Sequence, residues 1–281
     1  MLSLRKILVA TDFSESADNA LEYAAGLAER TGASLTLLHA YHVPVVASEV
    51  PTLMFTLGEM EKEGLDELHR TENELRQKFP RLGKVNTLCL HGFVVETIES
   101  QVEKLEIDMV VMGLQGSGFF SEKVIGSNSD AVARRAKFPV LIINHHCRFR
   151  DIKRILLASD NKEIRNHHVL DTMRNIAQRF RSQVHILHVS KKENHETSLE
   201  SAVEGLSMDR YLEGIEHYFF EENAPELMVG INNFNRKKDI DLTVALARRH
   251  GFFESFFHKD HVHSMVYHSN TPILILHESS N

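Results

Sequence analysis

Short runs of consecutive apolar residues alternate along this chain with longer stretches in which apolar residues recur every third or fourth position. Behind Arg5 and Lys6 comes the continuous run Ile7–Ala10, and such a run predicts a strand, Lys6–Ala10, buried on both faces. Asp12 and Ser14 then open a helix. In it Ala17, Ala20, Leu21, Ala24, Leu27 and Ala28 share one face, the spacing of an amphipathic helix, and Thr31-Gly32 stops it. The same signals predict strands at Ser34–Ala40, Val85–Leu90, Asp108–Met112 and Val140–Ile143. Helices are predicted from about Gly58 to Lys78, over Val94–Lys104 and over Ser121–Arg135, with Pro44 and Pro51 breaking the connection ahead of the first of these. Strand and helix in strict alternation imply parallel strands joined by right-handed crossovers.

The pattern is written twice. Residues 4–12, LRKILVATD, return as IKRILLASD at 152–160, keeping Ile7/Ile155, Leu8/Leu156, Ala10/Ala158 and Asp12/Asp160. LTLLHA at 35–40 returns as VHILHV at 184–189, and FPVLII at 138–143 as TPILIL at 271–276. Strands are therefore predicted near 153–158, 184–189, 216–221, 241–246 and 273–276. The expected architecture is two tandem doubly wound, Rossmann-like α/β domains, 1–146 and 151–281. Each has a mainly parallel five-stranded sheet flanked by helices.

Composition narrows the function. Of 281 residues, 42% are hydrophobic and 25% charged, with 14 Gly and 6 Pro, which excludes a disordered or collagen-like chain. Two cysteines cannot supply a disulfide framework or a four-cysteine zinc site. A net charge of −7 argues against a protein built to grip nucleic-acid phosphates. No apolar segment approaches the ~20 residues that span a bilayer, and the first residues do not form a signal peptide. A cytoplasmic location with no nucleic-acid or membrane partner is expected.

Open α/β sheets bind ligands beyond the carboxyl ends of their strands, where the strand order switches. After the fourth predicted strand stand Met112, Gly113 and Gly116, and Gly126, Ser127 and Asn128 precede the next helix, giving the string G-x2-G-x9-G-S. Glycines bring bare backbone N–H groups close to an anion, and a helix N-terminus adds positive partial charge. Ser127 and Asn128 can add side-chain hydrogen bonds. These residue types in this order point to a phosphate site.

Three segments, KILVATDFSESADNALEYA, LLHAY and VVMGLQGSGFFSEKVIGSNSDAVARRAKFPVLII, resemble the universal stress protein family in its tandem form. The resemblance implies ATP as ligand, alone or with Mg, and a stress-response or regulatory role. It implies that Asp12 meets the adenosine end, that the Ala40 backbone faces adenine, and that Gly113, Gly116, Gly126, Ser127 and Asn128, beside Met112, hold ribose and phosphates. It also implies pairing of domains through their fifth strands, so that FPVLII and TPILIL would join within one chain as a pseudo-dimer. A homodimer is the other assembly expected, and any protein partner is unidentified.

Residues 110–143 align without a gap on 243–276, and there Gly113 becomes Leu246, Gly116 becomes Arg249, Gly126 becomes Lys259 and Ser127 becomes Asp260. The backbone cradle is lost, so the second half is expected not to bind ATP. The cluster His258, His261 and His263 offers a metal candidate, but 263 lies about 140° from 258 on a helix, so a three-ligand set is not expected. His39 and His188 recur at one point of the second strand of each half, which favours packing. Cys89, inside a predicted strand, reads as core. Strand one is followed by neither S-G-G-x-D nor H-x-G-H, and no G-x4-G-K-[ST] occurs. The binder and regulator that the resemblance implies is therefore the expectation, with slow ATP hydrolysis, or a scaffold or sensor of a small molecule or metal in which nucleotide is structural, as alternatives.

Overall fold

A computed structural model describes residues 4–42, 50–114, 127–159, 164, 166–190, 199–247 and 271–278. The first half runs β1 (Lys6–Ala10), α1 (Glu15–Thr31), β2 (Ser34–Tyr41), α2 (Val50–Lys78), β3 (Val85–His91), α3 (Val94–Leu105), β4 (Met109–Leu114), α4 (Ser127–Arg135) and β5 (Val140–Asn144). The second runs β6 (Arg154–Ser159), a 3-10 turn (His167–Leu170), α5 (Asp171–Phe180), β7 (Gln183–Ser190), α6 (Leu199–Tyr211), β8 (His217–Asn223), α7 (Leu227–Lys238), β9 (Leu242–Ala247) and β10 (Ile273–His277). The ten strands form one sheet in the order β3-β2-β1-β4-β5-β10-β9-β6-β7-β8. All neighbours are parallel except β5 and β10, which pair antiparallel with Leu141 opposite Leu274. The expected pairing of FPVLII with TPILIL is thus the seam of the sheet.

Register carries the repeat into three dimensions. Val9 faces Val111 and Gly113 faces Ile143, as Leu157 faces Val244 and Leu246 faces Leu276. Strand interiors such as Ile7–Val9, Val110–Val111 and Leu156–Ala158 are buried because helices cover both sheet faces. One carboxylate fixes the start of each central strand pair. Asp108 Oδ2 accepts from the Arg5 and Lys6 amides at 2.7 and 2.8 Å, and Asp241 Oδ2 from those of Lys153 and Arg154 at 2.8 and 2.9 Å.

Two expectations change. The charged helix begins at Val50, not near 58. Pro51 lies in its first turn, where a missing N–H removes no helical hydrogen bond and φ is already suitable, so it starts the helix rather than breaking it. The counterpart of α1 is shorter: α5 starts only at Asp171, behind a 3-10 turn. The predicted helix over 121–135 is described only from Ser127.

Candidate functional site

The strand order reverses between β1 and β4, and a cavity of about 160 Å³ lies beyond their carboxyl ends. The end of β1 brings Ala10, Thr11 and Asp12, and α1 brings Ser16 and Ala17. From β2 come Leu38 and Ala40, from α3 Val94 and Ile98, from β4 Met112 and Gly113, and from α4 Asn128 and Ser129. Five predicted residues, Asp12, Ala40, Met112, Gly113 and Asn128, therefore share one cavity wall. Gly116, Gly126 and the side chain of Ser127 lie outside the described residues, as do His258, His261 and His263.

Asp12 is exposed, and it does not cap α1. The cap is Ser14, whose hydroxyl accepts from the Ala17 amide at 3.4 Å. Asp12 Oδ1 in turn accepts from the Ser14 amide at 3.1 Å and from the Ser14 hydroxyl at 2.5 Å. Among the described residues none donates to its second oxygen. Phe13 takes a left-handed backbone, φ 60°, and its ring packs on His39 with centroids 4.5 Å apart. His39 Nδ1 donates to the Thr11 carbonyl at 2.8 Å, and His188 Nδ1 to the Ser159 carbonyl at 3.3 Å. Both histidines thus latch the end of the first strand of their half to the second, the packing role their recurrence implied.

Gly113 has a structural reason that the expectation of a phosphate site did not reveal. A Cβ there would lie 2.3 Å from the Ser16 carbonyl oxygen, so only glycine lets the first turn of α1 reach β4. Ser129, almost fully buried, donates to the Gly113 carbonyl at 2.8 Å and ties α4 to the same strand end. Sequence reasoning missed Thr11, Ser16, Ser129, Val94 and Ile98. Their signals were the hydroxyls interleaved through T-D-F-S-E-S and G-S-N-S, and the i, i+4 apolar pair at the start of a predicted helix.

At the corresponding place in the second half, among the described residues, two larger side chains stand where Ala40 and Gly113 border the cavity. Val189, the counterpart of Ala40, is buried, and a Cβ on Gly230 of α7 would lie 2.7 Å from it. α7 therefore packs directly on Val189. Leu246, the counterpart of Gly113, is buried in the cluster that holds Ile164 and Leu170.

Among the described residues no helix is long and apolar enough to cross a membrane, and no three His, Cys, Asp or Glu side chains form a metal-holding group. Cys89 and Cys147 are buried and free, and burial raises both thiols, Cys147 to about 11, so neither is a ready nucleophile. Cys89 is core, as its strand position implied.

Fold and site define a doubly wound α/β protein with a cavity at its switch point. A model of the universal stress protein family matches residues 3–144, and the chain belongs to that family. It is similar to universal stress protein YxiE of Bacillus subtilis, 27% identical over 147 residues, which is 49% of this chain and 97% of that protein. It is similar to a universal stress protein of Thermus aquaticus, 31% identical over 143 residues, which is 50% of this chain and 98% of that one. Over 99% of its length it shares the fold of a universal stress protein from Archaeoglobus fulgidus, with a TM-score of 0.74 at 18% identity and the whole of that chain covered.

Proposed function

We propose that this protein is an ATP-binding regulator of the stress response, made of units 1–146 and 151–281, in which only the first unit holds nucleotide. The observation that carries this reading is the difference between equivalent places in the two halves. Ala40 and Gly113 border a cavity, whereas Val189 packs against Gly230 and Leu246 is buried. Charge supports the orientation. A phosphate beside the Asp12 carboxylate would be repelled, whereas a ribose hydroxyl can donate to its second oxygen. Phosphates then lie toward Asn128 on α4, since the N-terminal end of a helix favours an anion. The hydroxyls of Thr11 and Ser16 also line this space. ATP binds alone or as its Mg complex, and the role is binding rather than turnover.

Calorimetric titration with ATP is expected to give one site per chain. Heat-extraction of the purified protein should release adenine nucleotide. Ala40→Val, which copies the second half, should weaken ATP binding at least tenfold while leaving the melting temperature within a few degrees, because valine suits a strand. Two equivalent sites per chain, or undiminished binding by Ala40→Val, would overturn the assignment.

A further inference from the structure

Next to the cavity stands an aromatic surface whose placement is unexplained by folding. Phe93 is the N-cap residue of α3, makes no side-chain cap bond, and is 62% exposed. A cap position favours Ser, Thr, Asp or Asn, so an exposed phenyl ring there forgoes stability twice. Its ring lies against His42, centroids 4.3 Å apart, and His42 stacks on His91 at 5.9 Å.

The position of this cluster is set by strand geometry. Leu38, Ala40 and His42 alternate onto one face, and the first two line the cavity. Val94, which follows Phe93 in the chain, lines it as well. His42 and Phe93 therefore extend the Ala40 end of the cavity outward. The cavity is partly open and measures about 160 Å³. Sites for whole small-molecule ligands run to roughly 300–1,000 Å³, so a nucleotide must project past these walls. In the second half, where Val189 fills the place of Ala40, the N-cap of α7 is Glu226. The aromatic N-cap thus stands beside the open cavity, and the matching N-cap in the other half is a charged residue.

We propose that Phe93, backed by His42, is a stacking platform for the nucleotide base. This rests on the nucleotide reading above and goes beyond it by assigning recognition of the base to a side chain on the rim. Phosphate contacts are the same for every nucleotide, whereas the platform rewards a large planar ring and so favours purines. Phe93 is a binding residue with no part in the phosphate end.

The chain contains no tryptophan, so Phe93→Trp installs a single reporter at the platform. Its emission is expected to be quenched on saturation with ATP and to stay unchanged with inorganic tripolyphosphate. Phe93→Ala and Phe93→Leu should weaken ATP binding by roughly tenfold, within the range that loss of one base–aromatic stack produces, with tripolyphosphate binding unaltered. Phe93→Tyr should retain ATP affinity. Circular dichroism checks that each variant is folded. ATP affinity unchanged by Phe93→Ala, or equal losses for ATP and tripolyphosphate, would overturn the platform and leave the nucleotide reading standing. Wild-type protein that binds no ATP would overturn both.

Discussion

At the scale of single residues, Gly113 joins folding to the site. A methyl group 2.3 Å from the Ser16 carbonyl has no room unless α1 moves. Gly113→Ala is therefore expected to lower stability by about 1–3 kcal/mol, the range for overpacking, read by denaturant unfolding. Any loss of ATP binding in that variant then reports a displaced helix, which is why Ala40→Val is the cleaner probe. Ser14→Ala should cost about 1 kcal/mol through loss of the α1 cap, and it also removes one of the two hydrogen bonds that Asp12 Oδ1 accepts, leaving the one from the backbone amide. Gly113 stood out in the sequence through its place in a glycine string. Its packing role was hidden because the atom it must clear belongs to α1, and local spacing carries no information about which backbone approaches which.

At the scale of elements, the strands were legible because continuous apolar runs have few other uses in a parallel sheet, and observed ends differ from the predicted ones by a residue or so. The start of α2 was not legible, since Pro51 carries the same letter whether it opens a helix or breaks one. A further feature appears only when β7, β8 and α7 come together. His185 is almost fully buried among Phe220, Phe234 and Tyr218, and neither ring nitrogen has a hydrogen-bond partner among the described residues. Burial holds its pKa below the usual histidine value, helped by the charges of Lys238 on α7 and Arg154 on β6 and opposed by Glu216 ahead of β8. The folded state thus requires the neutral ring, and the unfolded chain takes up a proton first as pH falls. Stability from this group is complete above about pH 6.5 and is lost as pH drops from there toward the depressed folded value, by at most about 1.4 kcal/mol per pH unit. His277 and His145, also lowered chiefly by burial, add slopes of the same sign. His185→Leu should raise the melting temperature at every pH and flatten its decline between pH 6.5 and 5. A parallel decline in wild type and variant would show that His185 is not the group responsible.

At the scale of the whole molecule, the antiparallel seam turns two five-stranded sheets into one and removes an exposed edge from each. The connection between halves adds to it. Phe149 packs edge-on against Tyr23, with centroids 5.3 Å apart, and sits where a Cβ on Gly26 of α1 would fall 2.3 Å from its ring. Arg30 of α1 makes a two-point bond to Asp151 at 2.8 and 3.0 Å. An unpaired strand edge with buried apolar neighbours recruits another strand, so the intact chain and its first half should differ in association. The full chain is expected to sediment as a monomer. Residues 1–146 produced alone expose β5, whose Val140–Ile143 core is apolar, and are expected to sediment as a dimer through that strand. A lysine in place of Leu141, which faces Leu274 in the seam, should return the fragment to a monomer. In the full chain the same substitution should destabilise the seam, because it places a charge opposite a buried leucine. Because Ala40 and Gly113 lie at the β1/β4 end rather than at the seam, the fragment should bind ATP with the affinity of the whole chain. A fragment that loses ATP would show that the second half contributes to the first half's site.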